Sequence, residues 1–165
     1  MLKTLFGLTA LVLLLVLFGY ATSGGPSDPN LSDLGLTASA VRDPNGAWRL
    51  QFELRYTGET PLVLTEGSLP WKNPRDLLLV ACALNAAKTR LAPSEAPMRD
   101  LPPTSLTLNP GDTLSGSVNL SARLPGLSEA IQGSDVVLFW SHEMKSADSQ
   151  PLPRLNGGAV IPRQG

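Results

Sequence analysis

The chain contains one histidine, and it opens the run His142-Glu143-Met144-Lys145-Ser146. Zinc proteases set two histidines one helical turn apart to hold the metal, with the glutamate beside the first activating a water. Ser146 stands where the second histidine is needed, so this run cannot assemble a zinc shell, and its surroundings read as a strand end rather than a helix. His142 is also the only imidazole that could serve a serine or cysteine nucleophile as base. No Gly-x-Ser-x-Gly elbow accompanies it, and Gly116-Ser117 sits inside a strand-like alternation. The carboxylates, Glu53, Glu59, Glu66 and Glu95 among them, are scattered over turns and polar faces, and nothing selects a pair for glycoside chemistry. Phosphate-loop and dinucleotide fingerprints are missing from the sequence. Cys82, the one cysteine, lies in the apolar run 77–84 and reads as a small buried hydrophobe that has no internal disulfide partner. The expectation is a protein without catalytic residues, metal or cofactor.

Two loops have the composition of binding elements. Leu69-Pro70-Trp71-Lys72-Asn73-Pro74 holds an aromatic side chain between prolines, which limits the entropy lost on docking, so Pro70 and Trp71 are candidates. Trp71 folded back onto the core is the competing structural reading. The second loop, residues 93–103, is stiffened by four prolines and carries Met98 and Arg99 near its middle; the competing reading is an ordinary crossing between sheets. A net charge of -1, with 13 basic and 14 acidic residues, offers no footprint for nucleic acid or an anionic surface. The expected partner is another protein.

What must position such loops starts with an export segment. Residues 1–23 carry one basic side chain, Lys3, then an almost unbroken apolar run over 5–20, with small residues after it. That layout is a secretory signal, with small-x-small cleavage sites before Thr22 and before Gly24. The run is also just long enough to remain as a membrane anchor over residues 5–21. Either way Lys3 stays inside and the rest faces outward, to the periplasm or beyond. Residues 24–33 are a polar, flexible tether. Residues 34–162 are one domain.

That domain reads as strands. Trp48, Leu50, Phe52, Leu54 and Tyr56 alternate with Arg49, Gln51, Glu53, Arg55 and Thr57, the period of a half-buried strand. Asp43-Pro44-Asn45-Gly46 joins it to an alternating segment from Leu34, making a hairpin. Residues 62–65 predict a short strand, and residues 77–84 a central strand buried on both faces. Residues 105–108 and 113–120 around Asn109-Pro110-Gly111-Asp112 predict a second hairpin. Residues 124–132 predict one or two helical turns, 136–142 a strand, and 159–161 an edge. With 15 glycines, 15 prolines and no long amphipathic helix, the expected fold is all-β. Its architecture would be a two-sheet antiparallel immunoglobulin-like sandwich of seven or eight strands.

The segment Leu54-Arg55-Tyr56-Thr57-Gly58-Glu59-Thr60-Pro61-Leu62, continued by Leu69-Pro70-Trp71, resembles the opening of immunoglobulin-like accessory domains. Leu106-Thr107-Leu108-Asn109-Pro110-Gly111-Asp112-Thr113-Leu114, running on to Val118-Asn119-Leu120, resembles the later turn and apolar strand of the same domains. The families concerned are the propeptide-like domains of deuterolysin-type metalloproteases and the small proteinase inhibitors of Bacillus type. The similarity runs from Trp48 to about Trp140. It implies an immunoglobulin-like fold and a protease as partner, for inhibition or chaperoning, and no inhibitory residue carries over to a position here. Three functions are therefore expected: a non-catalytic module binding another envelope protein, a protease inhibitor or protease-associated domain, and a structural protein anchored in the envelope.

Overall fold

A computed structural model describes residues 33–97 and 104–164. The expected export segment, most of the expected tether, and the candidates Met98 and Arg99 lie outside the described residues. The protein is all-β, with nine strands among the described residues, every ladder antiparallel, two short α-helices (Leu120–Arg123 and Leu127–Gly133) and one 3-10 turn (Glu66–Ser68).

Strands β1 (Leu34–Arg42) and β2 (Trp48–Tyr56) form the expected hairpin, in register from Leu34 opposite Tyr56 to Arg42 opposite Trp48. Asp43 closes its turn, accepting from the backbone N–H groups of Asn45 at 3.0 Å and Ala47 at 2.9 Å. Gly46 supplies the positive φ of 83° that the turn requires. Arg49 donates to the other carboxylate oxygen at 3.1 Å, and it, with the two backbone donors, holds the Asp43 carboxyl below the usual carboxylate range. Along β2 the alternation is realised: Trp48, Leu50, Phe52, Leu54 and Tyr56 are buried, and Glu53 and Arg55 are exposed.

Strand β7 (Thr113–Asn119) pairs with the other edge of β2 to complete a sheet ordered β1-β2-β7. Strands β3 (Leu62–Thr65) and β6 (Ser105–Leu108) pair in a two-stranded sheet. The third sheet contains β4 (Leu78–Ala83), β5 (Arg90–Leu91), β8 (Val136–His142) and β9 (Leu155–Ile161) in the order β5-β4-β8-β9. All three sheets contribute to one apolar core. The ring of Phe52 on β2 meets that of Trp140 on β8 edge to face at 5.3 Å, so the two larger sheets share that core.

Three sequence expectations are corrected. The second hairpin does not form: β6 pairs with β3, whereas β7 pairs with β2. The turn itself is present, with Gly111 at φ 90°. It is bound to the end of β2, because Gly111 N–H donates to the Tyr56 carbonyl and Tyr56 N–H to the Asp112 carbonyl, both at 2.9 Å. The chain therefore steps from one sheet to another there. The Asn119 side chain then caps the backbone N–H of Ala122 at 3.0 Å, so Leu120 begins the helical turn Leu120–Arg123 instead of ending the strand.

The second correction concerns β4. Leu79, Ala81 and Ala83 are buried, yet Leu78 is 55% exposed and Val80 44%. An unbroken apolar run is the pattern of a strand covered on both sides. Here one side of β4 carries no cover among the described residues. The third correction is a consequence of the second. Cys82 sits on that open side, half-buried, with Sγ 3.3 Å from the Lys88 carbonyl oxygen, and is not enclosed in the core.

Candidate functional site

His142 ends β8 and faces inward, only 1% exposed. Its Nε2 lies 2.6 Å from the backbone carbonyl of Ser68, so that nitrogen carries the proton and donates it. The Asp76 backbone carbonyl also faces the ring, without hydrogen-bond geometry to Nδ1, which has no partner. Burial pushes the imidazole below its ordinary pKa, against the smaller opposing pull of the Ser68 carbonyl and the Asp76 charge. Ser146 lies in extended backbone bridged to Leu64, and its hydroxyl is engaged by Asp148 and Gln150. The two ends of the zinc-like run are thus fixed in separate hydrogen-bond sets. Among the described residues no group of three or more His, Cys, Asp or Glu side chains is gathered that could hold a metal ion.

Of the sequence-derived candidates, Pro70 is buried and Trp71 is half-buried. The Trp71 indole lies over Gly116 on β7, in the place a Cβ there would fill, and tilts against Phe52 with ring centroids 6.3 Å apart. Lys72, beside it, pairs with Glu66 at 2.6 Å. Much of the indole surface is therefore engaged within the fold.

The feature that sequence reasoning missed is the open side of the four-stranded sheet. Register places its residues in three rungs: Leu78-Ser141-Asn156, Val80-Phe139-Gly158 and Cys82-Val137-Val160. Phe139 is 58% exposed and Val160 57%. The first two rungs carry no charged side chain, and the third ends in Arg90 on the edge strand β5, opposite Cys82. Between Leu78, Val80, Phe139, Ser141, Asn156 and Gly158 runs an apolar groove of about 540 Å³. The open side of the β1-β2-β7 sheet has the contrary chemistry: Thr37, Ser39, Gln51, Glu53, Arg55 and Ser115. An exposed apolar patch on one sheet, beside a polar face on the other, is the kind of surface that marks an interaction site.

The signal for this face was present in the alternation of β8. With Leu138 and Trp140 inward, Phe139 must point outward. No protein-family model matches the sequence, and no curated protein matches it, so the role of the face rests on its chemistry.

Proposed function

We propose that the protein is an exported, non-catalytic module with an immunoglobulin-like β-sandwich domain, and that it binds another envelope protein through the open face of β4, β8 and β9. The carrying observation is the uncharged rung Val80-Phe139-Gly158 with its groove, set against the polar face of the β1-β2-β7 sheet. An apolar, pleated face with a central aromatic is suited to a partner that presents apolar side chains from a strand or sheet of its own. Export rests on the layout of residues 1–23.

A photo-crosslinking residue at position 139, introduced in the producing organism, tests the reading. The expected result is one discrete adduct with an envelope protein, abolished by Val80→Glu and absent when the crosslinker replaces Glu53 on the polar face. Equal labelling from both positions, or none from position 139, rejects it. The mature N-terminus, read by mass spectrometry, tests export separately: a start at Thr22 or Gly24 means a cleaved signal, and an intact Met1 in the membrane fraction means an anchor.

A further inference from the structure

Next to the apolar groove lies a second cavity, of about 270 Å³, whose walls include Arg75, Leu78, Ser94, Glu95, Ala96 and Arg123. Leu78 lines both. Arg123 is the last residue of the helical turn Leu120–Arg123 and is only 9% exposed. Its guanidinium donates to the Pro74 carbonyl, while its Nε has no acceptor. Among the described residues neither Arg123 nor Arg75 makes an ion pair, although Glu95 stands on the same wall. Burial lowers the Arg123 pKa.

A guanidinium stays charged in proteins, and buried charges are ordinarily matched by an opposite charge. Here the charge has been taken out of water and met by one neutral carbonyl. The surroundings also keep the cavity in shape. Ser94 N–H and Oγ donate to the carbonyls of Arg123 and Ala122, both at 2.8 Å, which fixes the 93–96 segment against the end of the helical turn. On the other side, the Arg123–Pro74 bond holds the loop that bears Arg75. Arg75 and Arg123 thus line one small cavity that shares Leu78 with an apolar groove, and a planar anion with two oxygens is the complement of a guanidinium that has no anionic partner.

We propose that the Arg123 cavity is a receptor for a carboxylate, carried by the partner segment whose apolar side chains lie along β4, β8 and β9. This inference rests on the docking role proposed above. The carboxylate is an acidic side chain or a chain terminus; both present the same two oxygens. Its entry would neutralise a buried charge, and Leu78 would hold the adjoining residue at the junction of cavity and groove.

The test monitors the Arg123 and Arg75 Nε–H resonances in 15N-labelled full chain. The probes are N-acetylglycine as a chain-end mimic, N-acetylglutamate α-amide as a side-chain mimic, and inorganic phosphate. The expected result is a saturable shift of the Arg123 resonance with at least one carboxylate, tighter than with phosphate. Arg75→Ala, at an exposed position, should weaken that binding several-fold, and Glu95→Gln should tighten it. The stronger of the two carboxylates identifies the source. No saturable shift with either carboxylate, or tighter binding of phosphate, overturns the inference. Crosslinking from position 139 is read independently. An adduct without carboxylate shifts leaves the docking role standing and rejects the receptor. Carboxylate shifts without an adduct reject the docking role and, with it, the assignment of the carboxylate to a docked segment.

Discussion

The indole of Trp71 occupies the space that a side chain on Gly116 would fill. Trp71 comes from the loop after β3 and Gly116 from the middle of β7, so the missing Cβ is what lets the loop close down on the sheet and bring the indole against Phe52. Glycine in a strand interior ordinarily weakens the strand, and a close approach of this kind is what can offset that cost.

Gly116→Ala is therefore expected to lift Trp71 off the sheet. The cost should be about 1–3 kcal/mol, the range for forcing extra atoms into a packed site. Urea unfolding monitored by tryptophan fluorescence would measure it, and the native emission should shift to the red as the ring gains water. Unchanged stability and emission would mean that the loop can yield without loss.

Trp140 is the more central anchor. It is 3% exposed, meets Phe52 across the core, and lies against Gly157 of β9. Trp140→Ala should cost about 3–5 kcal/mol, as large-to-small changes of buried aromatics do. Trp71→Ala should cost less, since that ring is only half-buried. Chemical denaturation of both variants against the parent provides the comparison.

Local chemistry was legible in the sequence and partnership was not. The β1–β2 hairpin could be read from alternation and from Asp43-Pro44-Asn45-Gly46, because turn chemistry and period two act over adjacent residues. The turn at Gly111 could be read for the same reason. Which strands flank it could not, since that depends on hydrogen bonds between Tyr56 and residues 111 and 112, more than fifty positions apart. Leu78 and Val80 depart from expectation because apolarity reports a preference for leaving water, not whether a covering layer exists. Arg123 gave no local signal. Its burial arises from the meeting of the helical turn, the loop at Pro74 and the segment at Ser94.

Phe139 separates fold from function. Its ring lies on the open face, so Phe139→Thr keeps a strand-forming residue and removes little packing. Stability should change by no more than about 0.5 kcal/mol, as is usual for surface positions. The adduct formed by a crosslinker placed at Val80 should nevertheless be lost. A large loss of stability would instead make Phe139 part of the core's support.

His142 sets the response to acid. Its imidazole is buried and donates through Nε2 to Ser68, and burial holds its pKa below the ordinary 6.5. The unfolded chain therefore binds a proton at pH values where the folded chain does not, so the native state has its full advantage above about pH 6.5 and loses it progressively as the pH falls towards the lowered folded value. The other shifted acids, Asp43 and Asp148, also lose stabilising interactions on acidification, but at or below their ordinary 3.8, in a separate window. The lowered pKa of His142 thus predicts a fall in melting temperature from neutral pH down to about pH 5. His142→Gln keeps a donor for the Ser68 carbonyl and cannot titrate, so it should flatten that fall while lowering stability at neutral pH. An equally steep decline in the variant would place the acid response elsewhere.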